Sequence, residues 1–310
     1  MKQRFIASAI TTAALLGCGA AQAQVTLYGR INLSAEAQET DAADVKVLQN
    51  NSSRWGVKGS EDLGGGLKAG FQLESGINAD TGTAATSFWG RQSEVNLSGG
   101  FGMLRLGNFT SEAYYATADY VSMHNHDTGT SSDALYAYIG RNGNKLAYRL
   151  PELAKGLSVE GGVSLKETAA ENTYDLAVNW DIGSLHLGAG YEKNGDANQY
   201  AVRALYEVGP FTFGGYVQRD KNAMGAGSRT NVRLSGMYAM GASEFHVNVG
   251  AAGDIGSIAD SDAQQFTLGY NYNLSKRTKV YGFYTQVDAG ANAGYAANFT
   301  SFALGVRHNF

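Results

Sequence analysis

The chain is short of cysteine, proline, net positive charge and long apolar runs. It has one cysteine and two prolines in 310 residues. The cysteine, Cys18, falls inside the N-terminal stretch read below as a removable leader, so the remainder needs neither disulfides nor thiolate metal sites. Two prolines beside 41 glycines exclude a collagen-like chain, which needs abundant proline in a strict triplet. Beyond the leader no apolar run is long enough for a membrane-spanning helix. With 24 basic against 28 acidic side chains and no basic run, the chain is unsuited to nucleic acid. It also lacks a G-x-S-x-G element and any histidine beside an obvious nucleophile. We therefore expect no enzyme and no cofactor.

The chain does carry 18 tyrosines and 13 phenylalanines, too many aromatics for a disordered chain. Residues 1–23 read as a secretory signal peptide, with Lys2 and Arg4, then apolar Phe5 to Leu16, then Ala21-Gln22-Ala23 as a small-residue cleavage site. A lipoprotein signal presenting Cys18 is the competing reading. It is disfavoured because the cleavage site is followed directly by a strand starting near Gln24. Cleavage leaves residues 24–310, with 22 basic and 28 acidic side chains and a formal charge of −6.

The two ends of that chain alternate. In Thr300 to Phe310, residues Phe302, Leu304, Val306, His308 and Phe310 share a face, opposite Ser301, Ala303, Gly305, Arg307 and Asn309. In Val25 to Glu36, Leu27, Ile31 and Leu33 oppose Tyr28, Arg30, Asn32, Ser34 and Glu36. A period of two marks strands. A long terminal strand is an exposed edge unless it is paired, so the first strand should pair with the last and close a barrel. Between them the pattern predicts strands at 52–60, 67–77, 87–98, 102–109, 144–150, 157–167 and 173–181. Seven more follow at 184–193, 199–208, 211–220, 230–240, 244–252, 264–274 and 278–287. With the two ends this makes sixteen, an even number as an up-and-down antiparallel barrel requires.

Tight turns such as Ile182-Gly183, Gly209-Pro210 and Gly241-Ala242-Ser243 alternate with longer segments, among them 37–51, 78–86, 110–143 and 253–263. Short turns at one rim and long loops at the other are the pattern of outer-membrane barrels. Apolar rows such as Tyr174, Leu176, Val178 and Trp180 oppose polar ones carrying Asp175, Asn179 and Asp181. Sixteen strands enclose a space too wide to fill with side chains, so the polar rows should line water and the apolar rows should face lipid. Tyr272, Tyr281 and Phe310 read either as interfacial girdle residues or as subunit-contact residues.

Several segments resemble the Gram-negative general porins, most closely the β-proteobacterial type. They are Thr26 to Arg30, Ser53 to Gly59 with Glu61 to Gly64, Leu67 to Glu74, Arg91-Gln92, Leu97 to Gly102 and the closing Leu304 to Phe310. The resemblance covers the whole of residues 24–310. It implies an all-β fold, a 16-stranded antiparallel transmembrane β-barrel whose third loop folds inward. It also implies a homotrimer in the outer membrane among lipid and lipopolysaccharide, with Phe310 as the signal read by the barrel-assembly machinery. The implied function is a water-filled channel for passive diffusion of small hydrophilic solutes and ions, tilted toward anions, with a substrate-selective outer-membrane channel of the same fold as the alternative.

The third long segment, 110–143, matches the constriction loop, with acids Glu112, Asp119, Asp127 and Asp133. The family's facing basic ladder matches Arg30, Arg54, Lys58 and Arg91. Alternation supports the first three but sets Arg91 with Val95 and Leu97. A luminal Arg91 then makes Glu94 outward, buried at a subunit contact. His124-Asn125-His126-Asp127 has a spacing that suits a divalent metal, but no third ligand accompanies it. We read it as a polar loop tip and expect no metal.

Overall fold

The computed structural model describes residues 24–124, 134–167 and 171–310. The expected leader and Cys18, together with Asn125, His126, Asp127 and Asp133, lie outside the described residues.

Strand β1 (Gln24–Thr40) pairs antiparallel with β18 (Phe299–Asn309), from Arg30 opposite Asn309 to Thr40 opposite Phe299. The seam ends on two more backbone bonds, Gly29 N to Phe310 O at 3.1 Å and Phe310 N to Gly29 O at 3.0 Å. This is the closure expected from the two alternating chain ends. Strands β2 (Asp44–Asn50) and β3 (Arg54–Gly64) both pair with β1, one along each half of its length. They are a single spanning strand broken at Asn51 to Ser53, where Ser52 takes φ +53°. β4 (Leu67–Asn78) pairs with β3, and β5 (Thr83–Ala84) only caps the outer end of β4. Counting β2 and β3 as one strand and omitting β5 turns the eighteen stretches of the sheet into sixteen barrel strands.

The wall continues through β6 (Gln92–Gly99), β7 (Gly102–Asn108), β8 (Lys145–Arg149), β9 (Leu157–Ser164), β10 (Thr173–Ile182) and β11 (Leu185–Asn194). It is completed by β12 (Ala197–Val208), β13 (Phe211–Lys221), β14 (Ser228–Met240), β15 (Ser243–Ala252), β16 (Ala263–Asn273) and β17 (Thr278–Ala289). Each of these strands pairs with its neighbour in sequence. Among the described residues no helix is long and apolar enough to cross a membrane. In this closed sheet the strands themselves supply the crossing, every interior ladder group being bonded to a neighbour.

Burial is inverted relative to a water-soluble domain. Arg30, Asn32, Ser34 and Glu36 on β1 are buried, whereas Leu27, Phe302, Leu304 and Val306 are all more than half exposed. The same holds on β12, where Gln199 and Arg203 are buried and Tyr200, Val202 and Tyr206 are exposed. An apolar belt this extensive needs an apolar solvent.

Three expectations need correction. The stretch 37–51 is not a long loop. β1 runs on to Thr40 and β2 begins at Asp44, because backbone pairing continues beyond the point where the apolar alternation fades. The strand predicted from 87 begins at Gln92, and the residues before it turn outward so that Phe88 and Trp89 pack on Trp55. Tyr281 is neither a girdle nor a subunit-contact residue. It faces inward, donating to Asn32 Oδ1 at 2.9 Å and accepting from Asn51 Nδ2 at 2.9 Å. Gly305 on the next strand makes room for its ring, since a Cβ there would lie 2.3 Å from Tyr281 Cζ. Tyr272 and Phe310 do face outward.

The Phe310 ring lies against Gly29, where a Cβ would come within 2.3 Å of Phe310 Cζ and 2.7 Å of the Arg54 carbonyl oxygen. Gly29→Val should therefore destabilise the folded barrel by about 1–3 kcal/mol through overpacking at the seam. Gly100→Ala, with nothing within 4 Å of the new carbon, should be neutral. Urea unfolding in detergent micelles, followed by tryptophan fluorescence, measures both.

Candidate functional site

The polar inner face carries two charged fields. The first is built by β1, β3 and β4. Arg30 and Arg54 are directly paired across the β1–β3 ladder, so their side chains emerge on the same face. Arg54 Nε lies 3.6 Å and Arg91 Nε 2.7 Å from Glu74 Oε1. Tyr28 donates to Glu74 Oε2 at 3.0 Å and accepts from Gln72 at 2.7 Å. Lys58 Nζ sits 5.2 Å from the Tyr28 ring centroid, and Arg30 reaches the Ser52 carbonyl at 3.4 Å. Arg54 and Arg91 thus meet at Glu74, an acid not anticipated as their partner, while Lys58 lies beside Tyr28 and Arg30 beside Arg54 on the same inner surface. The signal for Glu74 was its parity with Gln72, opposite Phe71 and Leu73.

Arg91 reaches this surface because it precedes β6, so strand alternation does not apply to it. The expectation that Glu94 faces outward fails for the same reason. Glu94 keeps the inward parity of Gln92 and Asn96 and is bound there by Arg105, with Nη2 to Oε2 at 2.7 Å.

Glu94 begins the second field, a chain of alternating charge across β6 to β9. Arg105 Nη1 spans the small, fully buried Ala147 on β8 to reach Glu160 Oε1 at 2.8 Å. Arg149 bonds Glu160 Oε2 at 2.9 Å and Glu112 Oε2 at 3.0 Å. Glu112 is therefore tied to the wall beside it rather than to Arg54. Its burial pushes the carboxyl above the usual value, with Arg149 pulling it back down. Lys145 and Asp175, 2.7 Å apart and sealed from solvent, extend the field.

Glu112 opens helix α1 (Glu112–Tyr114), which continues as a π-turn over Tyr115–Asp119 and carries the other expected acid, Asp119. Ser111 caps its start by accepting from Tyr114 N at 3.3 Å. The small side of this turn meets glycines on β11. A Cβ at Gly188 would lie 2.2 Å from Ala116 O, and one at Gly190 would lie 2.6 Å from Ala113 O. Arg203 on β12 donates to Ala116 O at 2.8 Å. The returning leg of the 110–143 loop is stitched to the same face. Arg229 and Asn231 both donate to Leu135 O at 2.8 Å, and Gln218 brackets Ala137 with bonds of 2.9 and 3.0 Å. Glu192 joins both legs, accepting from Ser111 Oγ and from Ile139 N at 3.3 Å. The described parts of the loop therefore lie along the inner wall of β10 to β16.

Of the His-Asn-His-Asp stretch only His124 is described. Its ring lies 4.9 Å from that of His246 and fills the space over Gly269. Among the described residues no three metal-ligating side chains converge. His186 pairs with Asp181 at 2.7 Å.

Removing Glu160 takes from Arg105 and Arg149 the acid they share, leaving Arg105 on Glu94 and Arg149 on Glu112. Glu160→Ala should lower stability by about 1–3 kcal/mol, read as a shifted urea midpoint. The double variant that also carries Arg105→Met should lose more, because it strips the buried Glu94 of the guanidinium that binds it.

Comparison with known proteins completes the description. The family described as Gram-negative porin matches residues 9–292. The outer membrane porin protein 32 of Delftia acidovorans is 32% identical, with 100% of both chains covered. The major outer membrane protein P.IB of Neisseria lactamica is 30% identical, again over 100% of both. Among solved structures, the anion-selective porin from Comamonas acidovorans superposes with TM-score 0.77 at 28% identity, covering 93% of this chain and 100% of that one.

Proposed function

Because the chain belongs to the Gram-negative porin family, we propose that it is an outer-membrane porin, a water-filled channel for passive diffusion of small hydrophilic solutes and ions. The observation that carries this reading is the inverted burial of a closed sixteen-strand sheet, with charged rows inside and bare apolar rows outside. Residues 1–23 act as the export signal, and Phe310 serves as the terminal aromatic that the barrel-assembly machinery reads.

The constriction forms between the 110–143 loop and the surface of Arg30, Arg54, Lys58 and Arg91, with Asp119 on the loop side. Four bases on this surface, two of them sharing Glu74, favour anions there, in line with the name of the similar anion-selective structure. A single charge acting across ~10 Å of water contributes only about 0.4 kcal/mol, and salt screens it over ~8 Å. Selectivity therefore requires the whole row. Glu112, neutralised by Arg149, anchors the loop instead of opposing the bases.

The protein works as a homotrimer in lipid and lipopolysaccharide. Its outward cluster of Trp55, Phe88 and Trp89 supports a subunit contact, since Phe88 is 53% exposed although two tryptophans pack beside it.

Purified protein in a planar bilayer should give ohmic conductance in steps of three, and absence of conductance would refute the channel. In a salt gradient, Arg54→Glu should move the reversal potential toward cation preference; an unchanged value removes Arg54 from the filter. Phe88→Asp should weaken the trimer, giving single conductance steps and a monomer band on semi-native gels.

A further inference from the structure

The loop turn that packs its small residues on the wall turns its largest ones to the water. Ala113, Ala116, Thr117 and Ala118 are buried, while Tyr115 is 41% and Tyr120 39% exposed. We propose that these two tyrosines form a stacking track that makes the channel favour carboxylates bearing an aromatic ring over aliphatic carboxylates of the same size. The inference rests on the channel reading and adds a solute class to it.

Each ring is held in place. The Arg203 guanidinium carbon lies 3.6 Å from the Tyr120 ring centroid, and Arg203 is itself fixed by Ala116 O at 2.8 Å and Asn179 Oδ1 at 2.7 Å. One face of Tyr120 is thus occupied by a cation that cannot swing away. The His186 ring lies 5.9 Å from that of Tyr120, and only the ring area that stays exposed beside it is open to a flat partner. Tyr115 packs edge-on against Tyr114 with centroids 5.8 Å apart, and its phenol pKa, pushed up chiefly by burial, also feels Thr110, Asp119, Arg91 and Glu74. A partly packed aromatic surface costs a solute less to use, because its side chains have less rotamer freedom left to lose.

The chemistry selects the solute class. A planar ring gains offset or edge contact on Tyr115 and Tyr120, and its carboxylate is drawn by Arg91 and Arg54 on the facing surface. An aliphatic acid of equal charge gains only the second, and a neutral aromatic solute only the first. The plain steric reading, in which the tyrosines merely narrow the passage, predicts equal treatment of two acids of equal size.

The test compares benzoate with cyclohexanecarboxylate, which share charge, carbon number and ring size, as blockers of KCl current through purified channels in a planar bilayer. Benzoate should halve the current at about two- to tenfold lower concentration, the factor that one aromatic contact supplies. The pair Tyr115→Leu with Tyr120→Leu should abolish the difference, and Tyr115→Phe with Tyr120→Phe should keep it. The inference is overturned if the wild-type channel treats the two acids alike, if the leucine pair keeps the preference, or if the phenylalanine pair loses it. Should the leucine pair not assemble, the wild-type and phenylalanine measurements still decide. Absence of current in KCl alone would instead sink the channel reading.

Discussion

Every backbone amide and carbonyl that enters hydrocarbon must find a partner within the protein, and an open sheet cannot meet that demand at its two edges. The pairing of the first strand with the last removes both edges at once. Its lower end, where Gly29 and Phe310 exchange two backbone hydrogen bonds while the Phe310 ring covers the glycine, fixes the register of the seam. A slip of one residue there would turn Phe302, Leu304 and Val306 inward and Ser301 and Ala303 outward. Closure and facing are therefore a single constraint, and the inverted burial follows from it.

Once the faces are assigned, the interior has to hold charge without collapsing. The solution is alternation of sign along a chain of contacts, from Glu94 through Arg105, Glu160 and Arg149 to Glu112. Buried ion pairs contribute little net stability compared with apolar packing. Here apolar packing is not available, because the inner face belongs to the water column. The chain of pairs lets long polar side chains stand in fixed positions around that column, and its last member ties a loop to the wall.

That loop is held by features that are small individually. Gly188 and Gly190 let its backbone approach β11, and Arg229, Asn231 and Gln218 stand in for a missing strand by bonding the carbonyls of Leu135 and Ala137. Glu192 reaches both legs. The loop thus carries Tyr115 and Tyr120 on a fixed support, which loops at a barrel rim rarely have.

Alternation was enough to set out the sixteen strands, which residues share a face, and the pairing of the chain ends, because each depends only on a period of two and on the cost of an unpaired edge. It failed where the chain is not in a strand, as at Arg91, and where polar strands extend beyond the apolar belt, as at Thr40 and Asp44. It also left Tyr281 undecided, since an aromatic suits lipid, interface or lumen equally until Gly305 and Asn32 are seen around it. The partners within the lumen were beyond it altogether. Which acid neutralises Arg54, or which base holds Glu112, depends on the stagger between strands and on where a loop comes to rest. Those are set by contacts between residues far apart in the chain, so only the folded barrel decided that Glu74 lies among the bases and Glu112 against Arg149.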